Sequence, residues 1–211
     1  MREVENIATI DSELLVVNHY TGGANCCYFT TILDLSDQFK LIAKIEGKHS
    51  PVELKGIFDS QDFEIKLRDW VYAYHWTSFS ASYAPIVILR HYNGKYIPSV
   101  EAMKGIALPY DDLDKVIQGI NSIKYNGFQY AYCDKLNSVT IDTRKVNDEY
   151  YGKLLPVMLD LIYNGQMIKA LHVLDKTWPG DSATKQQFIY DLNSVMKESS
   201  FYNAIKELNG I

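Results

Sequence analysis

The adjacent cysteines Cys26 and Cys27 carry the most reactive side chains of this sequence, and they follow the glycine pair Gly22-Gly23. A thiol acts as a nucleophile when a nearby His, cation or helix N-terminus lowers its pKa, and His19 is the nearest candidate. Because neighbouring residues of a strand point to opposite faces, at most one of these thiols can serve. The competing interpretation is structural: one cysteine is a small buried side chain, and the other packs or forms a disulfide with Cys133.

The loop that holds Tyr20, Gly22 and Gly23 is a candidate binding segment. Two glycines let a ligand approach the backbone closely, and successive amides can form a nest for an anion. No Lys-Ser/Thr pair and no third glycine follow, so neither phosphate-loop pattern is matched. The alternative is a strand connection whose φ values only glycine accepts readily.

Four large aromatic residues at 70, 72, 74 and 76 form the other candidate binding set. Their spacing of two predicts a strand over residues 70–77 with Trp70, Tyr72, Tyr74 and Trp76 on one face. Such a stripe suits a carbohydrate or a peptide, since aromatic faces bind apolar ligand faces and polar tips form hydrogen bonds. More often, such a stripe is a core or interdomain face covered by helices, because large aromatic side chains are mostly buried.

Other chemistries find no support in the residue pattern. The five histidines lack metal-ligand spacing, and no Cys-x2-Cys pair or Gly-x-Ser-x-Gly elbow occurs. We therefore expect no metal and no cofactor. The 21 basic and 26 acidic residues give a net charge of −5 without a cationic stripe, so nucleic acid is not an expected partner. No apolar run is long enough for a membrane-spanning helix, and membrane insertion is not expected.

The hydrophobic pattern changes near residue 100, and it predicts an α+β fold. Residues 1–104 form a predicted antiparallel β region, with a strong hairpin signal at Asn93-Gly94. Residues 105–211 form a mainly helical region, with a short hairpin expected at 128–143. Predicted strands cover residues 5–10, 13–19, 27–35, 40–46, 54–59, 63–67, 70–77, 86–91 and 95–98. One predicted helix starts near residue 111, and the others cover about 147–163, 165–177, 182–197 and 200–208. Asp181 or Ser182 is the expected cap of the helix at 182–197.

A weak internal repeat divides the β region. Residues 11–16 resemble residues 59–65, and each copy continues through further strands to a turn. A unit of about four strands is the size of one propeller blade, but two units cannot close a ring. We expect two degenerate blade-like units packed with a small helical region.

Residues 16–27, which end in Tyr20-Thr21-Gly22-Gly23-Ala24-Asn25-Cys26-Cys27, and residues 69–96 together resemble a known group. These are bacterial exported proteins with degenerate FG-GAP-like (integrin-type, propeller-blade) repeats and a Tyr-Ser/Thr-Gly-Gly-Ala-His-Cys-Cys segment. The resemblance covers about residues 5–100 and implies a blade-like fold and export, to the periplasm or outside the cell.

Two positions depart from that group. Its members often have an aspartate-rich, glycine-containing loop of the calcium-binding type before each of these strands, whereas the matching segments here have few carboxylates. The histidine before the paired cysteines is Asn25 in this chain. This difference weakens any chemistry that a Cys-His pair would supply.

Taken together, these patterns favour a non-enzymatic exported module that binds a protein, a peptide or a glycan. The expected binding residues are Tyr20, Gly22, Gly23, Trp70, Tyr72, Tyr74 and Trp76. The alternative is a thiol-dependent or hydrolytic enzyme near the Gly22–Cys27 loop, with Cys26, Cys27 and His19 as catalytic candidates. The first residues lack the apolar stretch of a signal peptide, so we also leave a cytosolic location open.

Overall fold

A computed structural model describes residues 14–22, 27–36, 40–55, 63–123, 127–132 and 140–211. Two antiparallel sheets lie in the N-terminal part and helices follow in the C-terminal part, which confirms the predicted α+β class. The chain divides into two compact units. The β unit comprises residues 1–68 and 86–99, and the helical unit comprises residues 69–85 and 100–211.

The first sheet of the β unit has the order β1-β2-β3 and is built from neighbouring strands in the chain. Its strands are β1 (Leu14–Tyr20), β2 (Tyr28–Asp34) and β3 (Lys40–Lys48). The register places Val16 opposite Ile32, and both side chains are buried on the core face. These strands confirm the predictions for 13–19, 27–35 and 40–46, while the predicted strand at 5–10 lies outside the described residues.

The second sheet is a four-stranded meander of β4 (Glu53–Lys55), β5 (Glu64–Arg68), β6 (Ile86–Tyr92) and β7 (Lys95–Pro98). Asn93 and Gly94 connect β6 to β7 with φ angles of 49° and 80°, as the sequence predicts for this turn. Arg90 donates to the Glu64 carboxylate across the β5–β6 pair at 2.6 Å.

The predicted strand at 70–77 is wrong. Residues 70–72 form a 3-10 turn, because the Asp69 carboxylate accepts the Val71 N–H and the Ala73 N–H bonds to the Trp70 carbonyl. A side chain that bonds its own backbone two residues on offers the chain an alternative to a strand. Residues 79–81 form a second 3-10 turn, and residues 69–85 as a whole, here called the aromatic excursion, belong to the helical unit.

Six helices occur within the described part of the helical unit. They are α1 (Val100–Lys104), α2 (Leu113–Asn121), α3 (Ile141–Tyr163), α4 (Met167–Thr177), α5 (Ser182–Glu198) and α6 (Tyr202–Asn209). Asp181 caps α5 by accepting the Thr184 N–H, as its position predicts. None of the helices in the described ranges is both long and apolar enough to cross a bilayer.

Helix α3 begins earlier than the sequence predicts, and this corrects the expected hairpin at 128–143. Thr140 caps the helix by accepting the Thr143 N–H, so residues 141–143 are helical rather than extended. Residues 128–132 have no regular secondary structure, and residues 133–139 lie outside the described part. Helix α3 is the centre of the unit and contacts α2, α4 and α6.

Candidate functional site

The paired cysteines do not supply a free thiol at Cys27, because Cys27 is disulfide-bonded. The chain has two other cysteines, Cys26 and Cys133, and both lie outside the described residues. A disulfide sulfur carries no thiolate, so Cys27 cannot act as a nucleophile in this state. A thiol mechanism in this loop would therefore depend on Cys26.

The described ends of this loop are paired as the base of a strand connection. Thr21 and Cys27 face each other across its base: the Cys27 N–H donates to Thr21 Oγ1 at 2.9 Å, and the Thr21 N–H donates to the Cys27 carbonyl at 3.1 Å. Gly22 has a φ of 87°, a conformation that glycine adopts without strain. His19 and Tyr20 are exposed at the end of β1, and Gly23 lies outside the described residues.

The four aromatic residues from 70 to 76 separate into two pairs with different roles. Tyr72 and Trp76 are 1% and 0% exposed and pack in the core of the helical unit, where Trp76 meets Phe188 at 5.3 Å between ring centroids. Trp70 and Tyr74 lie nearer the surface, and Tyr74 is 47% exposed. A ligand can therefore reach Trp70 and Tyr74 but not the buried pair.

Trp70, Phe79 and Tyr74 form a surface aromatic stack. The Phe79 ring lies 5.8 Å from the Trp70 ring and 5.2 Å from the Tyr74 ring, and both pairs have an interplanar angle of 25°. Offset stacked rings at these distances attract each other through complementary edge and face charges. The stack is the candidate functional site of this protein.

Tyr74 holds a strained backbone conformation within this stack. Tyr74 has a φ of 68°, which for a bulky residue is a rare, left-handed conformation. Its N–H donates to Ser82 Oγ at 3.1 Å, and the Ser82 hydroxyl in turn donates to the Ser78 carbonyl at 3.0 Å. Strain of this kind costs about 1–3 kcal/mol and persists only where the surroundings impose it, which is common at binding sites.

The aromatic excursion is fixed to α3 at two carboxylates. Ser78 donates to Asp148 from its N–H at 2.9 Å and from its hydroxyl at 2.8 Å, and the Tyr83 hydroxyl donates to Asp160 at 2.6 Å. Asp148 and Asp160 lie on one continuous helix. The stack is therefore presented on a rigid support.

A polar edge borders the stack. The hydroxyls of Ser78 and Ser80, which flank Phe79, lie 3.0 Å apart, and Ser80 is exposed. Asp148 adds a carboxylate beside Ser78. Sequence reasoning identified Trp70 and Tyr74 but missed Phe79, Ser78 and Asp148, for which the serine-rich, aromatic stretch at 78–83 was the available signal.

His75 lies beside the stack but faces the core. Its ring stacks on Tyr132 with centroids 5.5 Å apart and packs against Trp76 at 5.7 Å. Burial lowers the pKa of His75 below its usual range, and the charge of Glu198 only partly offsets this. The imidazole is therefore neutral at pH 7 and contributes no charge to the site.

Several tyrosines of the helical unit donate to aspartates. Tyr163 donates to Asp69, Tyr130 donates to Asp191, and both aspartates are buried. Burial is the largest cause that raises the pKa of Tyr130 and of Tyr163 well above the usual range. These hydroxyls stay protonated at every physiological pH, so the pairs act as hydrogen bonds that stabilise the core.

Neither a metal site nor a comparison with known proteins assigns a function to this chain. Within the ranges that the structure describes, no three His, Cys, Asp or Glu side chains are grouped as metal ligands would be. Compared with known families, curated proteins and solved structures, the chain has no match. The resemblance to the FG-GAP-like group therefore stays a prediction.

Proposed function

We propose that this protein is a non-enzymatic binding module that takes a glycan on the surface aromatic stack. The observation that carries the proposal is the strained, exposed Tyr74 beside Phe79 and Trp70, on a segment fixed to α3. Sugar rings have apolar C–H faces that pack on aromatic rings, and hydroxyl rims that need hydrogen-bond partners. The stack supplies the first kind of contact.

The polar edge supplies the second kind. The Ser80 hydroxyl is exposed next to Phe79, and Ser78 and Asp148 form a hydrogen-bonded pair beside it. Binding sites combine a mainly apolar surface with a few placed polar groups that fix the orientation of the ligand. A glycan fits this combination because its apolar C–H face and its hydroxyl rim can contact the rings and the polar edge at the same time.

Export is part of the same proposal. Disulfides persist in the periplasm and outside the cell, whereas cytosolic thiols are kept reduced, and Cys27 is disulfide-bonded. An extracellular or periplasmic module would also meet polysaccharides. Fractionation of cells that express the native gene tests this point: recovery of the protein from the cytosol with all thiols reduced contradicts export.

Affinity electrophoresis tests glycan binding, with a soluble β-glucan, a xylan and a chito-oligosaccharide as probes. We expect at least one probe to retard the wild-type protein and to quench tryptophan fluorescence, because Trp70 belongs to the stack. Tyr74→Gly should abolish the retardation, whereas Tyr74→Phe should keep most of it. Glycine accepts the left-handed backbone at this position, so the variant removes the ring without adding backbone strain.

Tyr190→Ala is the matched control. Tyr190 is 68% exposed on α5 and takes no part in the stack, so this variant should bind like the wild type. Equal binding by the wild type and by Tyr74→Gly would overturn the assignment to the stack. Retardation by none of the probes, together with binding of an aromatic-rich peptide, would move the ligand class from glycan to peptide.

A further inference from the structure

A cavity of about 410 Å³ lies in the helical unit, beside the turn that joins α3 to α4. This volume is within the range of small-molecule sites. Its apolar walls are Ile106, Leu108, Leu113 and Leu161, of which Leu161 is buried. None of its lining residues belongs to the surface aromatic stack or to the candidate site residues predicted from the sequence, so the cavity is a separate candidate site.

The polar side of the cavity is a chain of hydrogen-bonded amides. The buried Asn164 donates from Nδ2 to the carbonyl oxygens of Met103, Lys104 and Ile106, and its Oδ1 accepts from Gln166 Nε2. Gln166 Oε1 accepts from Lys169 Nζ at 2.7 Å. The chain runs from the buried floor of the cavity to an exposed ammonium group, and it fixes Lys169 at the rim.

Two opposite charges line the cavity without neutralising each other. Asp111 and Lys169 are both exposed and both line it, yet among the described residues they do not form an ion pair with one another. Tyr110, which also lines the cavity, already donates its hydroxyl to Asp160 at 2.9 Å. The charged groups that remain for a ligand are thus one carboxylate and one ammonium.

We propose that this cavity binds a small zwitterion with an aliphatic body, an α-amino acid or a dipeptide. The ligand carboxylate pairs with Lys169, its ammonium pairs with Asp111, and its side chain lies against Leu108 and Leu113. A dianion would meet the Asp111 carboxylate, and a neutral apolar molecule would leave both charges without a partner. Charge complementarity of this kind sets specificity, because a wrongly placed charge is penalised.

Isothermal titration with four small probes tests the proposal on the full chain. L-leucine and Leu-Leu carry both charges, N-acetyl-leucine lacks the ammonium, and leucinamide lacks the carboxylate. We expect saturable binding of at least one zwitterion, and binding about tenfold weaker for each singly charged analogue. No saturation by either zwitterion up to about 10 mM, or equal binding of all four probes, would overturn the proposal.

Two charge-removing variants locate the contacts. Asp111→Asn should weaken binding of the zwitterion but leave binding of N-acetyl-leucine unchanged. Lys169→Gln should weaken binding of the zwitterion but leave binding of leucinamide unchanged. Asp114→Asn on α2 and Lys176→Gln on α4 remove nearby charges that do not line the cavity, and these variants should bind as the wild type does. Equal losses in the controls would show general electrostatic attraction and contradict a site at the cavity. A failure of glycan binding at Tyr74 leaves this site unaffected, since the two share no residue.

Discussion

Tyr163 donates its hydroxyl to the Asp69 carboxylate at 2.5 Å, which joins the last residue of α3 to the first residue of the aromatic excursion. Asp69 also accepts from the Ser199 hydroxyl, between α5 and α6, and from the Val71 N–H. One buried carboxylate therefore fixes three parts of the helical unit through hydrogen bonds from uncharged donors. A carboxylate that is desolvated in this way depends strongly on each donor.

Tyr163→Phe should lower the free energy of unfolding by about 1.5–3 kcal/mol, because a bond to a charged group is lost without a change in volume. Urea unfolding at pH 7 measures the effect. The matched control is Tyr190→Phe, which removes a hydroxyl from a ring that is 68% exposed and should change the stability little. Equal stabilities for the two variants would show that the Asp69 bond contributes nothing.

On alkaline titration, the protein should unfold at a lower pH than the size of its core alone would predict. Burial is the first cause that raises the pKa of Tyr72, Tyr110, Tyr130, Tyr151 and Tyr163 above the usual range. In the unfolded chain these groups ionise near pH 10, while in the folded chain they stay neutral. Their contribution is therefore complete below about pH 10 and is lost as the pH rises further.

Ultraviolet titration of the phenolate absorbance checks this expectation. The exposed tyrosines should titrate first, and these five, which are buried or half-buried, should ionise only together with the loss of the helical circular dichroism signal. Smooth ionisation of all 16 tyrosines with the helical signal intact would contradict it.

Thiol counting tests the disulfide at Cys27. Because the chain has three cysteines and Cys27 is bonded to one of the others, one thiol should react under denaturing, non-reducing conditions. After reduction, three should react. Three reactive thiols before reduction would show that the bond is absent, and would return Cys27 to the set of possible nucleophiles.

The strain at Tyr74 predicts an unusual order of stability between two variants. Both Tyr74→Gly and Tyr74→Ala remove the ring, but only glycine accepts a φ of 68° without penalty. Tyr74→Gly should therefore be more stable than Tyr74→Ala by about 1–2 kcal/mol, as measured by denaturant unfolding. The reverse order would show that residue 74 does not hold a left-handed conformation in solution.

Gly165 in the turn between α3 and α4 should not tolerate a side chain. Its φ is 78°, and an added Cβ would lie 2.7 Å from the Leu208 carbonyl oxygen of α6. Gly165→Ala should lower the unfolding free energy by more than about 1 kcal/mol. Gly119→Ala in α2 meets no atom within 4 Å and should raise it by about 0.5–1 kcal/mol. Thermal melts of the two variants measure whether each substitution lowers or raises the stability. Equal melting temperatures would contradict the close approach of Gly165 to the Leu208 carbonyl oxygen.

The regular elements were predictable because their signals are local. Val16 and Ile32 follow the alternation of half-buried strands, Asn93-Gly94 encodes its own turn, and Asp181 caps the helix that follows it. Helix α3 was predicted too short at its start because the polar first turn at 141–146 carries little apolar periodicity.

The aromatic excursion was not predictable for the opposite reason. An alternation of four large rings favours a strand, yet the chain turns at Asp69, whose partners Tyr163 and Ser199 lie 94 and 130 positions later. Tyr74 and Trp70 were therefore identified as binding candidates from a strand face that does not exist. Phe79 completes the stack through the second 3-10 turn.

The path of the chain through the two units has a consequence for dissecting the protein. Strands β5 and β6 are neighbours, with Arg68 opposite Ile86, so the chain leaves the β unit and returns to it at adjacent positions. A fragment that starts at Val100 would contain helices α1 to α6 but would lack Trp76, and Phe188 would then border an empty space. No single break in the chain yields both units whole, so truncation at one point damages at least one of them.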